Sequence, residues 1–297
     1  MAAASPPGII ALATDLSHRS DRALDRAVQL ARAWQARLLV IHAIEERAEG
    51  RLESGSALPS WRSAPNPAKA VRHRLHRDLM REETGLNLDI VVELGTPAHL
   101  VLEQAQVAGA GLIITGVARD ETLGRMILGD TVDKLLRKSP VPLLVVRNRA
   151  RAAYRKMVVA TDFSPSARLA LDGARTLFPA LPLTLFHAYD VPFASYLNRA
   201  EIDREFEGYG QEAATRLLEE AGLSPEEARA VPRLIERGAP EALLRAYEAT
   251  DGDALTVVGT HGGGLLYRAL IGSTARKIID AVESDVLVVP TRDTPAR

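Results

Sequence analysis

Cysteine is absent from the 297 residues. That excludes disulfides, thiolate chemistry and zinc sites with sulfur ligands. An excess of charge is missing too, because 37 Lys and Arg stand against 38 Asp and Glu. A chain so balanced has no broad electrostatic footprint for nucleic acid or an anionic lipid surface. No apolar run approaches the ~20 residues of a membrane helix. The opening MAAASPPGIIALATD lacks a basic n-region and meets Asp15 after one short apolar stretch. It reads as a loose tail followed by a strand, not a signal peptide. The expectation is a cytoplasmic protein with no nucleic-acid and no membrane partner.

Several motifs are also lacking. No G-x-x-x-x-G-K-[ST] occurs, so the chain is not a Walker-type NTPase. No G-x-G-x-x-G follows a first strand, so the dinucleotide fingerprint is missing. Ser17 and Ser164 each follow an Asp by two positions, but neither lies in a G-x-S-x-G elbow. No nucleophile, base and acid can be assembled, and no catalytic residue is assigned.

What is present is written twice. IIALATDLSHRSDRALDRA (9–27) matches MVVATDFSPSARLALDGA (157–174). RLLVIHAIE (37–45) matches LTLFHAYD (183–190), and VELGTPAHLV (92–101) matches IERGAPEALL (235–244). The period is about half the chain, too long for a solenoid repeat. Two homologous domains are expected, 1–148 and 155–297, joined near RNRARAAYRK (147–156). The basic residues of that joint read as a solvated linker.

Each copy alternates strand and helix. IIALA, LLVIHA, DIVVE, LIIT and VPLLVV in the first copy are answered by MVVA, LTLFHA, PRLIE, LTVV and VLVV in the second. Between the first two strands, Leu24, Ala27, Val28 and Ala31 recur at i, i+3, i+4, i+7, as do Ala167, Ala170, Leu171 and Ala174. That spacing is an amphipathic helix face. Long polar helices are expected at about 66–84 and 198–221. Continuous Val, Ile and Leu strands separated by helices mean an α/β fold, a parallel sheet covered on both faces and doubly wound. Ligands of such sheets sit beyond the carboxyl ends of the strands. Asp15, Asp162, Gly116 and Gly259 all fall there.

The glycines of VVGTHGGGLLYRALIGSTARKIIDA (257–281) raise a chemical question. Gly272-Ser273-Thr274 precedes Ala275, Ile278, Ile279 and Val282, a helical stripe. A helix start offers unsatisfied N–H donors and partial positive charge. Gly259 to Gly264 would form a flexible wall opposite. Two arrangements satisfy the spacing: an anion cradle suited to phosphate, or a tight turn followed by an N-capped helix.

Gly259-x2-Gly262-x9-Gly272-Ser273 resembles the ATP-binding signature of the universal stress protein family. ATDFS (160–164), LFHAY (185–189) and ERGAP sit where that family has its other marks, and ATDLS, VIHAI and ELGTP repeat them in the first half. The resemblance spans nearly the whole chain as a tandem of two such domains. It implies two Rossmann-like, adenine nucleotide alpha hydrolase-like domains, each a five-stranded parallel sheet, with frequent dimerisation through the last strand. It implies ATP in the C-terminal half, with Ala160, Thr161 and Asp162 after the first strand and Ala188 by the adenine. Val258, Gly259, Gly262, Gly272, Ser273 and Thr274 match the positions around ribose and phosphates. A carboxylate beside a triphosphate is repulsive, so Asp162 must reach the ribose or adenine, or share Mg²⁺ or Mn²⁺ with the phosphates. Alternatively it caps the helix starting near Ser164.

The first half keeps Thr14, Asp15, Gly116 and Gly129. It puts Arg119 in place of Gly262 and Asp130 in place of Ser273. A carboxylate at the helix start satisfies the N–H groups itself and repels phosphate, by ~1 to 4 kcal/mol at 4 Å. Arg119 paired with Asp130 would plug this crevice, so the N-terminal half is expected not to bind ATP. His42 and His187 read as packed histidines with one ring nitrogen bonded to backbone. His73 and His76 read as a solvated face, and His261 lies in the expected phosphate loop. Trp61, Pro59, Pro65 and Pro67 mark a long loop. The leading reading is a nucleotide-binding regulator in stress response and not a committed enzyme, at most a slow ATPase or autophosphorylating protein. The alternative is a carrier or assembly module taking another metabolite. Homodimers and protein partners follow from the resemblance.

Overall fold

In the computed structural model, residues 5–17, 20–45, 68, 69, 71–73, 75, 85–119, 126–190, 199–249, 254–260 and 271–290 are described, with the backbone alone at 118, 119, 126, 127 and 199–203. The first half begins with β1 (Ile9–Ala13), α1 (Ser20–Trp34), β2 (Arg37–Ile44) and β3 (Leu88–Leu94). It continues with α2 (Pro97–Ala108), β4 (Leu112–Gly116), the short pair β5 (Ala118–Arg119) and β6 (Met126–Ile127), α3 (Asp130–Lys138) and β7 (Leu143–Val146). The second half runs β8 (Lys156–Ala160), α4 (Pro165–Leu177), β9 (Leu183–Tyr189), α5 (Arg199–Glu220), α6 (Pro225–Ala230) and β10 (Arg233–Arg237). It ends with α7 (Pro240–Glu248), β11 (Ala254–Gly259), α8 (Ser273–Ala281) and β12 (Asp285–Val289).

The two halves share one ten-stranded sheet, ordered β10-β9-β8-β11-β12-β7-β4-β1-β2-β3. Within each half all neighbours are parallel. At the centre β12 runs antiparallel to β7, with Leu144 opposite Leu287, Val145 opposite Val286 and Leu143 opposite Val288. The last strands therefore pair with each other inside one chain.

Strand periodicity explains the layers. Successive side chains point to opposite faces, so Ile10 and Leu12 of β1 enter one core while Ala11 and Ala13 enter the other. The first core is roofed by α1 and α4, the second by α2, α3 and α8. Both cores cross the seam, through Leu144 and Leu287 on one face and Val145 and Val286 on the other. The expected stripe of α4 is buried as written: Ala167, Ala170, Leu171 and Ala174. On α1, Ala27, Val28 and Ala31 are buried, Leu24 is partly so, and Ala23 and Arg26 join the buried face.

Arg26 belongs to a polar knot that corrects the solvated reading of residues 147–156. Arg147 is only 1% exposed and Asp285 only 2%. One Asp285 oxygen accepts the backbone N–H groups of Arg147 (2.7 Å) and Asn148 (3.0 Å). The other accepts the Tyr154 hydroxyl (2.7 Å) and faces Arg26 Nε at 3.3 Å. The Arg26 guanidinium lies 4.0 Å from the Tyr154 ring centroid and donates to the carbonyl of Ala152 at 2.9 Å. Burial first, then the neighbouring Asp285 carboxylate, push the Tyr154 phenol well above its ordinary pKa, so it remains a donor. Arg147 donates to the carbonyl of Ile279. Beside the knot, Phe178 meets Trp34 of α1 edge-on at 5.3 Å and Tyr154 at 5.8 Å. Strand β12, helix α1 and the joint between the halves are thus tied at one carboxylate.

Removing one partner of a buried ion pair costs more than the pair contributes, because the other charge stays buried. Asp285→Ala is expected to lower unfolding free energy by about 3 to 5 kcal/mol, read by urea denaturation. Tyr154→Phe, losing one hydrogen bond, is expected to cost about 1 to 3 kcal/mol.

Candidate functional site

Strand β8 is flanked by β9 on one side and β11 on the other, so the direction of winding reverses between β8 and β11. The carboxyl ends of these strands deliver Ala160, Thr161 and Asp162 from β8, Ala188 from β9, and Val258 and Gly259 from β11. Helix α8 then starts at Ser273, with Thr274 in its first turn. Gly262 and His261 lie outside the described residues, as do His76, Trp61, Pro59, Pro65 and Pro67.

Local bonds fix this end. Thr260 N–H donates to the carbonyl of Val289 at 3.1 Å, and Gly272 N–H donates to the carbonyl of Thr260 at 2.7 Å. Thr260 and Gly272 are therefore held side by side. Thr161 Oγ1 accepts Phe163 N–H at 2.9 Å, and its carbonyl accepts His187 Nδ1 at 2.8 Å. A carbonyl can only accept, so His187 carries its proton on Nδ1. His42 repeats the bond to Thr14 at 2.9 Å. Both histidines are held by backbone, as their positions suggested. His73 is exposed.

Asp162 Oδ1 accepts Ser164 N–H at 3.0 Å, which bends the chain into α4. The cap of that helix is Ser164 itself, whose hydroxyl accepts Ala167 N–H at 3.2 Å. Asp162 thus shapes the turn one step before the cap, a refinement of the capping role considered for it.

The glycines differ in their reasons. A Cβ on Gly259 would stand 3.2 Å from the carbonyl oxygen of Ser166 and 3.6 Å from the Ala170 Cβ. Close passage of β11 under α4 is enough to favour glycine there. Gly272 has φ −55° and ψ 142°, a conformation open to any residue. It is the N-cap of α8 and supplies no side-chain bond to the helix. Ser, Thr, Asp or Asn would normally fill that role. No acidic residue occupies the first turn of α8.

The first half shows what such a crevice looks like when its walls are traced. A cavity of about 690 Å³ is lined by Ala13, Thr14, Asp15, Ala43, Thr115 and Gly116. Gly129, Asp130 and Thr131 complete that side. In the repeat these positions correspond, in order, to Ala160, Thr161, Asp162, Ala188, Val258, Gly259, Gly272, Ser273 and Thr274. Positions scattered along the sequence converge on a single cavity.

The expected Arg119–Asp130 plug of this first crevice rests on a side chain outside the described residues. Asp130 is held by Lys134 one turn along α3, at 2.6 Å. Arg119 contributes backbone to the β5–β6 pair, and its side chain lies outside what is described. What remains distinctive is charge. Asp130 and Asp133 occupy the first turn of α3, whereas α8 has Ser273 and Arg276 there. Asp15 opposite is held below the usual carboxylate range: burial works against this, but hydrogen bonds from Ser17 and Ser20 prevail.

An ion pair joins the two helices. Arg276 pairs with Asp133 across the seam, and each continues along its own helix, Arg276 to Asp280 at 2.9 Å and Asp133 to Arg137 at 2.8 Å. Burial opposes the charge on Asp133, but Arg137 and Arg276 together hold its pKa below the ordinary value.

A doubly wound α/β chain with matching residues at the strand ends of both halves is the class that this fold defines. The universal stress protein family model matches the chain twice, at residues 8–147 and 153–290. The chain belongs to the universal stress protein family, with two copies of the domain. A universal stress protein of Thermus aquaticus is 33% identical over 144 residues, covering 46% of this chain and 97% of its own length. One from Mycolicibacterium smegmatis is 24% identical over 310 residues, covering 95% of this chain and 97% of its own. The solved structure of a functionally unknown Pseudomonas aeruginosa protein superposes with a TM-score of 0.67 at 23% identity, covering 96% of this chain and 93% of its own.

Because the folded pKa of Asp133 lies below its unfolded value, its contribution is present above about pH 4 and fades as pH falls through the folded value. Asp133→Asn is therefore expected to lower the thermal midpoint at pH 7 and to narrow its gap from wild type as pH approaches 3. Thermal melts of both proteins across that range test this; an unchanged gap would contradict it.

Proposed function

We propose that the C-terminal crevice binds ATP and that occupancy of this crevice is a regulatory signal in stress response. The observation that carries the reading is the start of α8: a glycine cap without a side-chain bond and a first turn without acid. It sits beside the β8–β11 reversal, where doubly wound sheets take ligands. A helix N-terminus in that state presents N–H donors and a partial positive charge to phosphate. In this reading Gly272, Ser273 and Thr274 meet the phosphates with Gly262. Thr161, Asp162, Val258 and Gly259 flank the ribose, and Ala160 and Ala188 flank the adenine.

Among the described residues no group of three or more His, Asp or Glu could hold a metal ion. Mg²⁺ or Mn²⁺ would then arrive with the phosphates, with Asp162 as its protein ligand. The proposal is of a binding switch and assigns no catalytic residue. No helix among the described residues is long and apolar enough to cross a membrane, and a cytoplasmic location is part of the proposal. The last strands are already paired within the chain, so a homodimer of this protein would use another surface.

A second reading concerns the N-terminal crevice. Asp15, Glu45 and Asp130 line it, and no described Lys or Arg does. Such a lining suits an uncharged or cationic metabolite and disfavours a triphosphate.

Calorimetric titration with ATP and Mg²⁺ is expected to give one site per chain. Gly272→Asp puts a carboxylate at the helix start and is expected to weaken that site about tenfold or more. Two sites of equal affinity, or a variant that binds as wild type does, would overturn the assignment.

A further inference from the structure

At the seam, away from both crevices, lies a cavity of about 900 Å³. Its floor is the Asp285 knot described above. Its walls come from separate segments: Arg22 and Arg26 of α1, Arg149 and Arg151 of the joint, and Arg245 and Glu248 of α7. The first turn of α1 divides it from the N-terminal crevice, with Ser20 lining one and Arg22 the other.

The charges on these walls are unequally satisfied. Glu248 is engaged on both oxygens, by the Thr256 hydroxyl at 3.0 Å and by Glu283 N–H at 2.8 Å. Arg245 stands 3.8 Å from Glu283. Asp285 is occupied by Arg26, Tyr154 and two backbone N–H groups. Arg22 donates to the carbonyl of Arg147 at 2.7 Å, and no carboxylate pairs with it among the described residues. Arg149 and Arg151 are exposed at the rim and have no carboxylate partner among the described residues.

We infer that this seam cavity is an anion-binding site for a compact multivalent oxyanion of the oligophosphate type. Guanidinium forks match phosphate oxygens two at a time. The lining carries five arginines against Glu248, Glu283 and Asp285, and a concave wall with an excess of one sign concentrates its field on the space it encloses. The volume lies within the range of small-ligand pockets. Three arginines supplied by a helix and by the joint between halves would close around such an anion, and the buried ion pair beneath holds both segments still. A ligand here would touch α1, the joint and α7 together, and so report on the packing of one half against the other.

The test is calorimetric titration of the full chain with inorganic tripolyphosphate. Gly272→Asp is expected to retain a tripolyphosphate site, since the seam cavity is not the C-terminal crevice. The double variant Arg149→Ala/Arg151→Ala, altered only at exposed side chains, is expected to lose about two orders of magnitude in affinity while keeping its thermal midpoint. ATP titrated into Gly272→Asp separates the sources: arginine-dependent binding identifies nucleotide-borne phosphate, and tripolyphosphate binding alone identifies a free oligophosphate. Absence of tripolyphosphate binding in wild type would overturn the inference. So would binding that Gly272→Asp abolishes and the double arginine variant retains.

Discussion

Strands β7 and β12 meet antiparallel over three residue pairs, and the rest of the molecule depends on that meeting. Five parallel strands have one outer edge at each end, and an unpaired edge invites association. Pairing the two inner edges makes one sheet of ten strands and carries the apolar core across both faces. A three-pair contact is short for such a task. The Asp285 knot reinforces it, because the same carboxylate holds the chain leaving β7, the first helix and the start of β12. Its charge is compensated by an arginine and its remaining lone pairs by N–H and O–H donors, the condition under which a buried charge is tolerated.

Because the halves are antiparallel to one another, the carboxyl ends of their strands point in opposite directions. Matching residues stand at those ends in each half, yet the helix that begins there differs in sign. Two aspartates open α3, and serine and arginine stand at the same places on α8. A partial positive charge at a helix start is fixed by backbone geometry. Side chains in the first turn decide whether it is already spent on the protein or remains for a ligand. Chemical divergence between the copies has therefore needed little change in shape.

The order of strands and helices could be read from the residues because both kinds of element announce a period: apolar runs for buried parallel strands and a three-four spacing for helix faces. The convergence of Thr14, Asp15, Gly116 and Gly129 was legible too, since strand ends in this topology gather at a known place. The knot was not legible. Asp285 opens a strand and looks in sequence like an ordinary turn residue, while its partners Arg147 and Tyr154 are 138 and 131 residues away. Arg26 sits on a helix whose other charges are solvated, and nothing local marks it as buried. For the same reason the joint between the halves reads as solvent-facing, although Arg147 is inside. Gly259 was legible as a special position, but the carbonyl of Ser166 behind it is a tertiary fact.

Leu144 and Leu287 hold the same place in their respective repeats and face each other, so an approximate two-fold axis passes between them. Asp133 and Arg276 also hold the same place, and they too meet across it. In a symmetric pair of identical domains every residue on such an axis meets its own copy, so aspartate would face aspartate and arginine would face arginine. Joining the domains in one chain lifts that restriction. The interface keeps the geometry of a symmetric dimer while acquiring the complementarity of a heterodimer. Each half is thereby made a poor partner for itself and a good one for the other, a form of partner choice closed to a pair of identical domains.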